Sequence, residues 1–265
     1  MTRVVALLVF SGVLLRAQTA AAPDAATLEY TGTPLVIPYT CSPDDLEWAG
    51  MSCDVSPCSI YVELSHAAGS AKTILITGDL HAPAATFYSL LLRTEDGGHT
   101  WREPFARIRG AELDGIQMHD AQTGWIGGQI MQPLALDPFF LLTTDGGKSW
   151  RRVPLFEEGT PGALLQFNFD SAEHGLALLD RGGGPKRYEI YETSTGGASW
   201  ELHGQFDRQP DFAAPGATEW RVKPEPKLFR LEHREENSWR PFASFALNAA
   251  ECRDKPKVEA PEPKP

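Results

Sequence analysis

Thr94-Glu95-Asp96-Gly97-Gly98-His99-Thr100-Trp101 and Thr143-Thr144-Asp145-Gly146-Gly147-Lys148-Ser149-Trp150 align without a gap, and Thr193-Ser194-Thr195-Gly196-Gly197-Ala198-Ser199-Trp200 follows with one departure, Thr195 in place of Asp. The three tryptophans stand 49 and 50 residues apart, and a fixed period of this size is the mark of a repeat architecture. Each octet follows an apolar, strand-like run: Tyr88 to Leu92, Phe139 to Leu142 and Tyr188 to Tyr191. A Gly-Gly pair between such runs predicts a hairpin turn, because glycine takes the positive φ that a tight or bulged turn demands. An Asp at the turn entry accepts hydrogen bonds from backbone N–H groups a few residues on and closes the turn locally. The Trp at its exit is large enough to plug the space between neighbouring sheets.

Upstream of the octets the repeat continues. Met118 to Gly128 aligns with Phe169 to Leu178 as strand, short polar turn, strand, and Ala71 to Gly78 fills the matching place in the first unit, with Ser59 to Leu64 ahead of it. A degenerate fourth unit reads through Trp220-Arg221-Val222, Lys227 to Leu231 and Asn237-Ser238-Trp239-Arg240, where Ser-Trp survives without the Asp or the Gly-Gly. Four-stranded units bury their faces only against neighbouring units. The expected fold is therefore all-β, a small β-propeller of four or five blades, with an incomplete ring as the structural alternative. Leu28 to Val55 and Phe242 to Leu247 are expected to complete one blade from the two ends of the chain.

The octets resemble the Asp-box, or BNR repeat, through Thr94, Asp96, Gly98 and Trp101, then Thr143, Asp145, Gly147 and Trp150, then Thr193, Gly197 and Trp200. In families with this motif it lies on the hairpin between the third and fourth strands of a blade and is structural, so the resemblance implies no catalytic or metal-binding role for Asp96 or Asp145. Thr123-Gly124-Trp125-Ile126-Gly127-Gly128 together with Thr143 to Trp150 is similar to the photosystem II assembly and stability factor family, whose members are non-enzymatic propellers. Sialidases also carry Asp-boxes, and a sialidase-type glycoside hydrolase is the alternative reading. Their arginine clamp opens with an Arg-Ile-Pro motif that is absent here; Arg107-Ile108-Arg109 lies between units and lacks the Pro.

The ends of the chain carry a different kind of information. Met1-Thr2-Arg3, the twelve apolar residues Val4 to Leu15 and the small-residue stretch Ala17 to Ala22 read as a secretory signal peptide over residues 1–22. The run is short for a membrane span, which needs about 20 residues. Residues 23–253 form the expected propeller domain, and 254–265, rich in Pro, Lys and Glu, read as a disordered tail. Signal removal takes Arg3 and Arg16 and no acid, leaving the chain more acidic than its full-length net charge of −11. Such a balance excludes a phosphate-backbone partner, which calls for a basic face. In an oxidising compartment Cys41, Cys53, Cys58 and Cys252 predict two disulfides, with three connectivities open. If all four pair, at least one bridge joins the two ends of the domain.

Function is expected on the loops opposite the Asp-box turns, those between second and third strands. These are Asp79 to Thr86, Gln129 to Pro138 and Asp180 to Lys186, with His81, Met131, Leu134, Leu136, Arg181 and Lys186 as candidate contact residues. Gly182-Gly183-Gly184 lacks the Lys-Ser/Thr of a phosphate loop, and the histidines show no metal-ligand spacing. The sequence thus predicts no cofactor and no metal, and a binding scaffold for a protein or envelope component.

Overall fold

The computed structural model describes residues 26–212 and 218–253; the expected signal peptide and tail lie outside the described residues. A short strand, β1 (Leu28–Glu29), and the helix α1 (Pro43–Trp48) precede the first blade, which is built from β2 (Cys58–Gly69), β3 (Ile74–Ala82), β4 (Ala85–Thr94) and the short β5 (Thr100–Trp101). Blade two holds β6 (Ala111–Met118), β7 (Gly124–Met131), β8 (Ala135–Thr143) and β9 (Arg151–Pro154). Blade three holds β10 (Ala163–Phe169), β11 (Gly175–Asp180), β12 (Tyr188–Thr193) and β13 (Glu201–Phe206). Blade four has three strands, β14 (Trp220–Glu225), β15 (Leu228–Glu235) and β16 (Ser238–Ala246), and β17 (Asn248–Cys252) turns back to pair with the start of β2. All neighbours within these sheets are antiparallel, as expected of an up-and-down blade.

The octets form the turns between third and fourth strands, and their geometry follows from side-chain chemistry. Asp145 Oδ1 accepts from the backbone N–H groups of Lys148 and Ser149, both at 3.0 Å, while Oδ2 takes the Ser149 hydroxyl at 2.6 Å. The preceding Thr is a second hub, for the Thr143 hydroxyl donates to Asp145 at 2.9 Å and accepts from Gly147 N at 2.9 Å. That bond holds Gly147 at φ 77°, where a side chain is strained. In the third turn Thr195 takes the Asp position and its hydroxyl accepts from Ser199 N at 2.9 Å, a weaker closure with a single side-chain oxygen.

Each of these turns packs on the blade before it. Gly98 lies against Phe242 of blade four and Gly147 against Leu75 of blade one, each too close to admit a Cβ without movement. Trp125 of blade two donates its indole N–H to Gly196 O of blade three at 2.9 Å. The tryptophans complete the junctions. Trp101 shares a core with Phe229 and Phe245 of blade four, and Trp150 with Leu75 and Leu91 of blade one. Trp200 stacks on Phe140 of blade two with ring centroids 4.9 Å apart. The order in space is therefore four, one, two, three.

The remaining junction is open. Among the described residues no core cluster, hydrogen bond or ion pair joins blade three to blade four. Blade four has no Asp-box to make one; its Trp239 lies beneath the Arg221 guanidinium, 4.4 Å from the ring centre, on a face that also carries Arg221–Glu232 and Arg230–Glu225 pairs. β14 starts at the Asp-box end, where the Trp220 indole donates to Gly69 O at 3.1 Å. Its direction assigns β14, β15 and β16 to the second, third and fourth positions of a blade, and residues 207–212 upstream carry no strand.

The fold is thus a four-bladed propeller with an incomplete ring. The expected blade made from both chain ends is replaced by a different arrangement: Phe242 to Ala246 belong to β16, and Leu35 adds a parallel bridge to Phe245. The expected loops also shorten, because the flanking strands run on until only Pro83-Ala84 and Gln132 to Leu134 lie between them, and Pro138 sits within β8. Only the third, Arg181 to Arg187, is a loop of the expected length.

Two consequences are measurable. Trp150→Ala leaves a cavity between blades one and two and is expected to cost about 3–5 kcal/mol, read as a lower urea midpoint; a change of a few tenths would mean that the ring does not hold the junction. The Thr100 hydroxyl and N–H hold the Asp96 carboxyl down to about 2. Its stabilising contribution is therefore complete above the unfolded aspartate value of about 3.9 and is lost as pH falls towards 2. Asp96→Asn should flatten the fall in melting temperature between about pH 4 and about pH 2, and an acid limb identical to that of the parent protein would contradict this.

Candidate functional site

At the end of the blades opposite the Asp-box turns, the β3–β4 and β7–β8 hairpins stand beside α1. The helix begins with a capping box: Ser42 Oγ accepts from Asp45 N at 3.1 Å, Asp45 Oδ2 accepts from Ser42 N at 3.4 Å, and Pro43 opens the first turn. Two disulfides frame this segment, Cys41–Cys252 before the helix and Cys53–Cys58 after it.

Asp45 fixes the helix to the blade. Its Oδ1 accepts from the Tyr88 hydroxyl at 2.6 Å and from Arg109 Nη2 at 2.9 Å, while Oδ2 accepts from the Tyr39 hydroxyl at 3.0 Å. Burial raises the proton affinity of this carboxyl, but the hydrogen bonds from Tyr88, Ser42 and Tyr39 outweigh it and hold the group below its ordinary value. Burial and the same contact push the Tyr88 phenol up. Trp48, one turn on, lies against Gly110, whose φ of 68° and lack of a Cβ let the indole approach.

These elements enclose a groove of about 460 Å³ whose walls are Trp48, the stretch His81 to Thr86, and Met131, Gln132 and Pro133. His81 Nδ1 is 3.1 Å from Asp79 Oδ1, and that hydrogen bond raises the imidazole above its usual value. No Lys or Arg lines the groove, and the acids Asp44 and Glu47 are exposed on α1.

Of the candidate contact residues, the structure brings His81 and Met131 together in this groove. Leu134 stands 78% exposed at the tip of the β7–β8 turn, and Leu136 is half-buried and bridges to Pro161. Arg181 and Lys186 lie apart on blade three; the Arg181 guanidinium packs over the Phe156 ring at 4.8 Å, and Lys186 is exposed. The Asp-box residues occupy the other end of the blades. Pro133 falls within the expected Gln129 to Pro138 loop, whereas Trp48 was missed, although Ser42-Pro43-Asp44-Asp45 carries a legible helix-start signal.

Among the described residues no carboxylate clamp of three arginines is assembled in the groove or in three further cavities. Arg107 is bound to Glu103 and Arg109 to Asp45 and Tyr88. Among the described residues no group of three His, Cys, Asp or Glu side chains is placed to hold a metal ion.

Fold and groove define an open Asp-box (BNR) propeller with an apolar recess on the face away from its repeat turns. The chain resembles the photosystem II assembly factors: residues 84–205 match the family described as photosynthesis system II assembly factor YCF48. Among solved structures, "YCF48 bound to D1 peptide" is 16% identical, with 86% of this chain and 60% of that chain covered and a TM-score of 0.37. YCF48 from Cyanidioschyzon merolae is 19% identical, with 70% and 56% covered and a TM-score of 0.34. This chain therefore spans under two thirds of the length of either. No curated protein matches it.

Asp45→Ala removes the acceptor for two phenols, a guanidinium and the helix cap. It is expected to cost about 1.5–3 kcal/mol, the range for hydrogen bonds to charged groups, and to raise amide exchange in residues 43–50 before the blades respond. Uniform exchange across the chain would show that the helix is held by something else.

Proposed function

We propose that this chain is an exported, non-enzymatic scaffold that binds a protein or envelope component by taking an extended segment of it into the Trp48–Met131 groove. The observation that carries this reading is the groove itself: an indole wall, short Ala/Pro and Met/Pro turns and a lining without Lys or Arg, held by Asp45 and two disulfides. A pre-formed apolar recess with few polar groups is the usual form of a binding site, and aromatic anchors in such a recess dominate affinity. The match of residues 84–205 to a family of assembly factors accords with a binding role. The disulfides and the signal-like N-terminus support export, and no helix among the described residues is long and apolar enough to cross a membrane.

Asp44 and Glu47 stand exposed on the helix that supplies Trp48, which favours segments that combine apolar residues with Lys or Arg. Selection from a displayed random-peptide library on the purified protein should enrich such sequences. Trp48→Ala should weaken the selected peptides by at least about tenfold, with the blades still folded by circular dichroism. Peptides that bind this variant as well as the parent protein would remove the groove from the reading, and enrichment of acidic sequences would reverse its electrostatic basis.

A further inference from the structure

The open ring leaves the inner strands of the blades facing an unfilled axis. Two recesses lie along it. The larger, about 560 Å³, runs from the β2–β3 hairpin across Ile116 and Met118 to Trp220. The smaller, about 240 Å³, lies between β6, β7 and the inner strand of blade three, with Leu165 on its wall. His66 and Ile116 line both, so the two adjoin on one axial surface.

Three properties of this surface converge. Its floor is apolar, and Leu165 is one of five large apolar side chains left exposed among the described residues, at 37%. Its charges are all of one sign: Asp114 lines the smaller recess and Asp120 and Glu219 the larger, with no Lys or Arg in either. His66 lines both recesses, and its Nδ1 is 3.9 Å from Asp114 Oδ1. Glu63 and Glu112 follow on the same inner strands, and burial together with Asp79 and Asp114 pushes both carboxyls up.

We propose that the axial recess is a second binding site, distinct from the groove, that takes a small amphipathic amine with its apolar stem along Ile116 and Leu165 and its cationic head against Asp114. The recess lined by Asp114, Ile116 and Leu165, about 240 Å³, has room for one short alkyl chain. A cation placed there meets Asp114, whose neighbour is the His66 imidazole at 3.9 Å, on a surface where neither recess is lined by Lys or Arg. The side open between blades three and four gives access without passage through a closed ring.

The test uses n-octylamine, n-octanol and n-octanoate as probes, titrated calorimetrically into the full mature chain at neutral pH. The amine is expected to bind at one site, about tenfold or more tighter than the alcohol, with octanoate weakest. Asp114→Asn should bring the amine down to the level of the alcohol at an unchanged melting temperature, and Leu165→Ser should weaken both. Equal binding of all three probes, or an amine preference that survives Asp114→Asn and Asp114→Ala, would overturn the proposal. Should Asp114→Asn fail to fold, chemical-shift changes from octylamine in the parent protein decide: shifts confined to His66, Ile116 and Leu165 support the site, and shifts at Trp48 and Met131 refute it. The Asp114 and Leu165 variants leave the groove reading untouched, whereas shifts at Trp48 and Met131 would place the amine in the groove.

Discussion

The docking of each Asp-box turn on the blade before it is the contact from which the rest of this structure follows. The Asp and Thr side chains close the turn, the closed turn holds its second glycine at positive φ, and that conformation directs the following Trp into the seam between two sheets. Trp101 and Trp150 are 0% and 2% exposed and their indole N–H groups return to Gly98 O and Gly147 O of their own turns, so the plug carries no unsatisfied donor. Trp200 lacks that return bond, and its buried Nε1 has no partner among the described residues. The weaker third turn and the less satisfied third Trp thus occur together, at the last closed junction of the arc.

Where the plug is missing, the ring stops. Repeat arrays need outer faces that tolerate water at both ends, and both terminal blades here have them. Blade four presents its Arg/Glu pairs, and blade three presents Glu192, which accepts from His174 at 2.8 Å and His203 at 2.9 Å, beside the Arg187–Asp180 pair. The chain ends meet instead at the junction of blades four and one. There β1 pairs with β5 on the outside, β17 pairs with β2 on the inside, and Leu35 lies on β16. Cys41–Cys252 joins residues 211 apart across this seam. A bond that closes so long a loop removes a large share of the freedom of the unfolded chain, which offsets the contacts that an open ring forgoes.

The parts of this fold that repeat were legible in the sequence, because repetition displays the same physical constraint several times over. The octets, the strand that precedes each of them and the degenerate fourth unit all lie where periodicity placed them. The role of Thr94 and Thr143 as hydrogen-bond hubs was hidden, since a Thr before a turn reads equally as strand propensity. α1 was missed because six residues offer no helical period, although its cap was readable. Strand ends were set too early at Asp79 on blade one and at Gln129 on blade two, where Pro138 reads as a breaker yet occupies a strand position. The groove was legible only in part: His81 and Met131 stood among the candidate contact residues, but Trp48 comes from a third element, and only the tertiary packing of α1 on blade one brings the three together.

The electrostatics of the groove argue for positioning over proton transfer. A carboxylate that accepts from two phenols, a guanidinium and a backbone N–H has its oxygens committed, and a proton affinity held below the ordinary value makes it a poor base near neutral pH. Asp79 is likewise engaged by His81. What Asp45 does achieve is mechanical: it converts a six-residue helix, too short to persist alone, into a rigid wall by anchoring it to Tyr88 and Arg109. A recess built in this way loses little further freedom when a segment enters it, and that pre-organisation, more than its area, is what lets a short apolar wall hold a partner.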